Sequence, residues 1–201
     1  MSGERWGILG GTFDPPHYGH LLIAENTREA LKLAGVLFMP AALPPHKLEW
    51  AITPGAQRRD MVDLAIADNP TFSLLTIELE RDGPSYSVDS LERLSADRPG
   101  QEFVFIVSVE AARQLPTWRD PQRLLELTEI AVVPRLGYPP LEVGWADRAF
   151  PGQRDRFLDV TSSPVGYSAS DVRARVAAGQ SIRYLVPPPV EDYIARYGLY
   201  R

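Results

Sequence analysis

The chain has 201 residues, 44% of them hydrophobic and 23% charged, and a formal net charge of −5. This is the composition of an ordinary folded domain, so general disorder is excluded, and an acidic chain without a basic cluster is not typical of nucleic-acid binders. Because there is no cysteine and there are only three histidines, disulfides, iron–sulfur clusters, thiol nucleophiles and cysteine zinc sites are excluded.

Nothing in the sequence indicates a membrane or secretion segment. No run approaches the roughly 18 consecutive apolar residues of a membrane-spanning helix, and the N-terminal residues lead straight into a short apolar run. We therefore expect a soluble, cytoplasmic protein with no membrane partner. We also expect a single domain over residues 1–201, with a small helical piece from about 165 to 201.

Short apolar runs alternate with helix-forming segments along the chain. The predicted strands are 5–10, 36–40, 72–79, 103–107, 130–134 and 157–160. The predicted helices are 19–34, 53–68, 87–96, 120–127, 168–178 and 190–197. Thr53 is predicted to cap the second helix, with Pro54 at its first position. Residues 137–156 contain several Gly and Pro and are predicted to be irregular.

Strands that are apolar along their whole length are typical of a parallel sheet covered on both faces. With helices between them, they predict the α/β class, with a doubly wound, mainly parallel sheet. In such sheets ligands bind beyond the carboxyl ends of the strands, where the strand order reverses.

The turn after the first strand has features of an anion site. Gly10 and Gly11 allow backbone amides to approach a ligand closely, and Thr12 adds a hydroxyl. The helix that follows points its positive end to the same place, and His17 and His20 project from one face of its start. By itself such a pair of histidines more often lies partly exposed in a glycine-rich turn, or binds a metal ion.

A second candidate anion site lies far along the chain, at the predicted start of the helix at 168. Ser168 and Ser170 are suited to capping free backbone amides, and Arg173 lies one turn further on. Serine hydroxyls, open amides and a guanidinium together can hold a polyphosphate. Alone, this string more often marks an ordinary helix cap with an exposed arginine.

These two segments carry a family resemblance. Residues 10–20, G-G-T-F-D-P-P-H-Y-G-H, resemble the signature of the HxGH nucleotidyltransferase superfamily, and 168–173 match its second motif, S-x-x-x-x-R. Along almost the full chain the sequence is similar to the bacterial nicotinate-nucleotide adenylyltransferases. Further matching segments are 44–47, Arg58 with Met61, 84–87, 116–118, Arg135 with Gly137, 182–187 and 197–200.

The resemblance implies a Rossmann-like fold and a role for each matching residue. Those that would contact ATP through backbone amides and hydroxyls are Gly10, Gly11, Thr12, Phe13, Ser168, Ala169 and Ser170. Those that would neutralise phosphate charge are His17, His20, Lys47 and Arg173. Those that would surround the nicotinate ring are Tyr86, Ser87 and Trp118, with Arg135 near the mononucleotide. No protein metal site is implied, and Mg²⁺ would arrive with ATP.

One segment departs from the family pattern. Where the family has G-x-D after its central strand, this chain has Ser108, Val109 and Glu110. The replacements of Gly by Ser108 and of Asp by Glu110 both alter a tight turn near the nucleotide. Whether Glu110 makes the ribose contact of the family's aspartate is left open. Thr is common in the family at the positions of Ser87 and Ser170, and both serines retain the hydroxyl.

The implied reaction is adenylyl transfer from ATP to nicotinate mononucleotide, which releases pyrophosphate. The attacking phosphate is already ionised, so positioning and charge neutralisation are enough. Three alternatives remain: the same chemistry on nicotinamide mononucleotide, a non-catalytic nucleotide-binding module, and a dinucleotide-dependent oxidoreductase of similar fold. The last would need a G-x-G-x-x-G turn, which the first strand lacks. The oligomeric state is open, and a homo-oligomer is possible.

Overall fold

A computed structural model describes residues 4–43, 52–81, 83–162 and 166–201. The strands are β1 Arg5–Gly11, β2 Gly35–Pro40, β3 Phe72–Leu74, β4 Glu102–Ser108, β5 Glu129–Val133 and β6 Phe157–Asp159. The helices are α1 Tyr18–Leu31, α2 Gly55–Ile66, α3 Ser87–Asp97, α4 Val109–Gln114, α5 Pro121–Leu127, α6 Trp145–Ala149, α7 Ala169–Ala177 and α8 Pro188–Tyr197. Single 3₁₀ turns occupy Leu115–Thr117 and Arg154–Arg156.

The strands form one six-stranded sheet in the order β3-β2-β1-β4-β5-β6, and every pair is parallel. The predicted doubly wound α/β fold is therefore confirmed. The chain leaves β1 toward β2 and later returns to β4 on the other side of β1. This reversal opens a crevice at the carboxyl ends of β1 and β4.

Helices cover both faces of the sheet, as fully apolar strands require. Because neighbouring residues of a strand point to opposite faces, Ile8 and Leu9 belong to two different core clusters. The cluster around Leu9 includes Val172 of α7 and Ile194 of α8. The last two helices thus pack into the same core as one face of the sheet.

Two sequence predictions differ from the structure. The strand predicted at 72–79 ends at Leu74, because beyond it only the Leu75 amide bonds to β2, at the Phe38 oxygen, and turns follow. Thr53 does not cap α2: Pro54 takes that position. The amide of Thr53 bonds instead to the Asp14 carboxylate.

Two helices were not predicted. Helix α4 directly follows β4, where Ser108 accepts a hydrogen bond from the Ala111 amide. Helix α6 lies inside the segment predicted to be irregular and begins after Gly144, which adopts a positive φ of 73°. No helix in the described part of the chain is long and apolar enough to cross a membrane.

Candidate active site

A cavity of about 720 Å³ opens at the carboxyl ends of the central strands. Thirteen predicted site residues line it: Gly10, Gly11, Thr12, Phe13, His17, His20, Ser87, Trp118, Arg135, Ser168, Ala169, Ser170 and Arg173. Tyr86 is not part of this lining, and Lys47 lies outside the described residues. Segments far apart in the sequence therefore meet around one space.

The two histidines at the start of α1 form a compact stacked pair. Their ring centroids lie 3.7 Å apart, and the edge of Phe13 contacts His20. Nδ1 of His20 accepts the backbone amide of His17 at 3.2 Å, so a neutral His20 ring carries its proton on Nε2. His20 is thereby prepared to donate one hydrogen bond through Nε2.

Gly19, between the two histidines, leaves room for this arrangement. A β-carbon there would lie 2.9 Å from Nδ1 of His17 and 3.3 Å from Cβ of Tyr167. Any side chain at that position would displace the imidazole or the segment before α7. The glycine of the H-x-G-H motif is explained by this close approach.

Both imidazoles are neutral at physiological pH in the free protein. Burial, followed by the positive charge of Arg135, lowers the pKa of His17 to about 4. Burial and the neighbouring His17 and Arg135 lower the pKa of His20 well below its usual range. The positive charge expected of these two rings is therefore absent from the free site, where they are neutral hydrogen-bonding groups.

Arg173 joins the two motifs directly. Its Nη1 donates to the backbone oxygen of Asp14 at 2.7 Å, across 159 residues of sequence. Its Nη2 lies 3.3 Å from the hydroxyl of Ser170. Ser168 caps α7 by accepting the Asp171 amide at 3.0 Å, as its position in the motif predicted. We call His17, His20, Asp14 and Arg173 the histidine–arginine cluster.

Buried groups that the sequence analysis did not assign support this cluster. Arg58 of α2 is only 1% exposed, and it donates to the backbone oxygens of Thr12, Ala42 and Thr53 at 2.8 to 3.0 Å. Burial lowers the pKa of Arg58, while the nearby Asp14 carboxylate opposes that shift. One guanidinium thus fixes three loop segments beside the cavity.

Asp14 itself is 5% exposed and is held on both carboxylate oxygens. The phenol of Tyr200 donates to Oδ1 at 2.6 Å, and the amide of Thr53 donates to Oδ2 at 3.3 Å. Burial, then the hydrogen bond to Asp14, raises the pKa of Tyr200 above its ordinary value. The phenol therefore remains a hydrogen-bond donor throughout the usual pH range.

A second group of cavity residues comes from the turn after β3, the start of α3 and the end of the first 3₁₀ turn. They are Glu78, Ser85, Ser87 and Trp118, which we call the serine–tryptophan cluster. The Ser85 hydroxyl accepts the Ala42 amide at 3.0 Å, and the edge of Trp118 faces Phe105. Glu78 is 4% exposed, accepts the Ser90 hydroxyl at 2.8 Å, and has its pKa raised by burial. The cluster offers hydroxyls and one large aromatic face.

The neighbouring Tyr86 has a different environment. Its ring lies under the guanidinium of Arg119, 4.7 Å from centroid to Cζ, and it contacts the core cluster on that face of the sheet. Its predicted contact with a nicotinate ring stays a prediction.

Glu110, which stands where the family has aspartate, forms an ion pair with Arg135. It also accepts the Tyr138 hydroxyl at 2.8 Å, and the Arg135 guanidinium lies over the Tyr138 ring. Arg135 and Tyr138 line the cavity. In the free protein, this carboxylate is therefore engaged with the β5–α6 segment.

A metal ion has few protein ligands on offer here. Across the described ranges, no three His, Asp or Glu side chains lie close enough together to hold one. A divalent cation in this cavity would depend on oxygens brought by the ligand and on water.

Comparison with known proteins gives a consistent result. Residues 8–175 match the family model described as cytidylyltransferase-like. A protein of Thermomicrobium roseum, named a probable nicotinate-nucleotide adenylyltransferase, is 45% identical over 198 residues, 98% of this chain and 92% of its own. A protein of Thermus thermophilus with the same name is 40% identical over 98% of this chain and all of its own.

The fold also matches a solved structure. The nicotinic acid mononucleotide adenylyltransferase of Plasmodium falciparum, complexed with NaAD, superposes with a TM-score of 0.81. The match covers 98% of this chain and 97% of that chain, at 17% sequence identity. At that identity the likeness concerns the fold alone.

Proposed function

The chain belongs to the cytidylyltransferase-like family and, within it, to the nicotinate-nucleotide adenylyltransferases, and we propose that the cavity described above is where it performs that reaction. The adenylyl group of ATP passes to the 5′-phosphate of nicotinate mononucleotide. The products are nicotinate adenine dinucleotide, an intermediate of NAD biosynthesis, and pyrophosphate.

The observation that carries the proposal is the contact between the two phosphate motifs. Arg173 bonds to Asp14 in the turn that also presents His17 and His20, so both motifs face one cavity. A triphosphate bound there would meet backbone amides, a guanidinium and imidazole N–H groups together. These groups are the ones that stabilise charge as it moves between phosphate oxygens.

The step needs no covalent catalyst. The ionised mononucleotide phosphate attacks the α-phosphorus of ATP, the new P–O bond forms, and the bond to the β-phosphate bridging oxygen breaks. The electron pair leaves with pyrophosphate. We propose that Nε2–H of His20 donates to a phosphate oxygen, since Nδ1 already accepts the His17 amide, and that Arg173 and Lys47 neutralise the leaving charge.

Enzymes of this family use a divalent metal with ATP, and we propose Mg²⁺, entering as part of the MgATP substrate. The described residues suit this scheme because they lack a carboxylate cage and offer N–H donors to the phosphates. A cytoplasmic location, where ATP and mononucleotides are available, stays our expectation.

Selection of the mononucleotide is proposed for the serine–tryptophan cluster. Trp118 offers an apolar face for the pyridine ring, and the Ser87 amide at the start of α3 suits its carboxylate. Nicotinamide carries no such charge and gains less from a helix N-terminus.

The test compares nicotinate and nicotinamide mononucleotides with ATP, measuring pyrophosphate release. We expect a clear preference for the acid. The His20→Ala variant should remain folded, and its turnover should be lower than that of the wild type by about 100-fold or more. Equal rates, or a preference for the amide, would contradict the substrate assignment. No release with either mononucleotide would favour a non-catalytic nucleotide-binding module.

A further inference from the structure

The segment after α8 turns back toward the candidate active site. Gly198, with a φ of 62°, ends α8, and Tyr200 also adopts a positive φ, of 65°. Leu199 and Tyr200 pack against the core cluster that contains Phe13. This local geometry carries the phenol of Tyr200 to the Asp14 carboxylate, 186 residues away in sequence.

Asp14 connects that phenol to the phosphate motif. Its side chain accepts hydrogen bonds from Tyr200 and Thr53, while its backbone oxygen accepts Nη1 of Arg173. Asp14 is thus held at two points, its carboxylate and its backbone oxygen, so loss of a donor to the carboxylate is expected to shift the carbonyl that Arg173 binds. The guanidinium is planar, so fixing one of its nitrogens orients the others.

We propose that Tyr200 is a positioning residue for ATP: through Asp14, its phenol aims the Arg173 guanidinium at the triphosphate. Tyr200 is absent from the cavity lining drawn from the described residues, so it acts through Asp14 and not by touching the ligand. The inference rests on the proposed function for the identity of the anion. It adds a group outside both phosphate motifs to the ATP site.

The neighbouring charges agree with this arrangement. Arg58 carries positive charge near Asp14 and Tyr200, and Arg173 adds a second positive charge near the phenol, so the hydrogen bond between Tyr200 and Asp14 lies among cationic groups. The raised pKa of Tyr200 keeps its proton on the phenol, so this donor does not vanish at moderately alkaline pH.

The test is a double-mutant cycle on MgATP affinity, measured by titration calorimetry without a mononucleotide. Tyr200→Phe keeps the ring and removes the donor, and we expect MgATP to bind about tenfold more weakly, as for one lost charge-assisted hydrogen bond. In an Arg173→Ala background, Tyr200→Phe should change MgATP affinity by less than about twofold, because the guanidinium that Tyr200 positions is gone.

The matched control is Tyr197→Phe, the same change on a half-exposed residue of α8 whose ring stacks on Tyr193. It should leave MgATP affinity unchanged in both backgrounds. Equal losses for Tyr200→Phe with and without Arg173, no loss at all, or a Tyr200→Phe protein that is unfolded under the assay conditions would each overturn the proposal.

This readout separates the inference from the proposed function. If the wild-type protein binds MgATP and shows the expected coupling but transfers no adenylyl group to nicotinate mononucleotide, the proposed function is wrong and the role of Tyr200 stands. If it catalyses the reaction but the two changes are additive, only the role of Tyr200 is wrong.

Discussion

The two clusters that line the cavity are built by different means. The histidine–arginine cluster is held by hydrogen bonds that distant segments make around the buried Arg58 and Asp14: from Arg58 to Thr12, from Arg173 to Asp14 and from Tyr200 to Asp14. The serine–tryptophan cluster is held by packing on the core, by the bond from the Ala42 amide to Ser85, by the short-range bond from Ser90 to Glu78, and by exposed pairs such as Arg119 with Asp89.

This difference suits the two physical tasks that we propose for the clusters. Stabilising a moving negative charge depends on donors that are already in place, because reorganising them during the reaction costs free energy. Selecting a flat aromatic ring depends on shape and contact area, which tolerate small displacements. A change to the buried network should therefore damage stability and chemistry together, whereas a change to the other cluster should alter recognition alone.

The largest expected effect comes from removing the central buried donor. Arg58→Met leaves three backbone oxygens without their partner and removes one of the positive charges near Asp14, so the free energy of unfolding should fall by about 3 kcal/mol. Urea denaturation at neutral pH measures it.

The matched control is Arg59→Met, one residue later, where the side chain is half-exposed and pairs with Asp60. Its denaturation midpoint should stay close to that of the wild type. If both variants lose similar stability, the network around Arg58 is not what holds the cluster.

A smaller effect should follow from acidification. The folded protein resists protonation of His17, whose pKa is lowered from 6.5 to about 4, whereas the unfolded chain binds the proton. The stability associated with a neutral His17 is therefore complete above pH 6.5 and is lost as pH falls toward 4. Between about pH 7 and about pH 5 the loss is about 2 kcal/mol.

His17→Asn removes that titration. Denaturation curves across this pH range should show a shallower decline for the variant than for the wild type, by about that amount. Parallel declines would mean that His17 is as easily protonated in the fold as in the unfolded chain.

The smallest expected effect concerns recognition at the other cluster. Trp118→Leu removes the aromatic face, so KM for nicotinate mononucleotide should rise by about fivefold, near 1 kcal/mol, with KM for ATP unchanged. Trp145→Leu is the control: that tryptophan packs on Phe150 and Phe157 outside the cavity lining and should change neither KM. Equal rises in the KM values for nicotinate mononucleotide and for ATP in Trp118→Leu would contradict the separate roles proposed for the two clusters.

Much of the fold was predictable from the chain itself. Continuous apolar runs such as 103–107 predict buried parallel strands because both of their faces must be covered. The alternation of apolar and polar residues predicted a strand over 72–79, and this was wrong beyond Leu74. There the same alternation continues through turns, and Glu78 of these turns lines the cavity. Alternating apolar and polar residues indicate only that one side of a segment is buried. A turn at the edge of a sheet meets that condition as well as a strand does.

The phosphate motifs were predictable because their residues are local in sequence. The supporting contacts were not, since Arg58, Asp14 and Tyr200 meet only after the chain has folded. One signal was available: Arg58, Met61, Val62 and Ala65 recur with helical spacing, and all four are buried in α2. An arginine on the apolar stripe of a helix indicates a buried guanidinium with several acceptors.

The bond between Asp14 and Tyr200 also has a consequence for the order of events during protein synthesis. The turn after β1 leaves the ribosome early, but its partner at residue 200 follows only after another 186 residues have been added. Contacts of such long sequence separation form late and are costly in chain entropy. A nascent chain can therefore assemble β1, α1 and β2 while the Asp14 carboxylate still lacks its phenol donor, and the proposed orientation of Arg173 is completed only when synthesis has passed that residue.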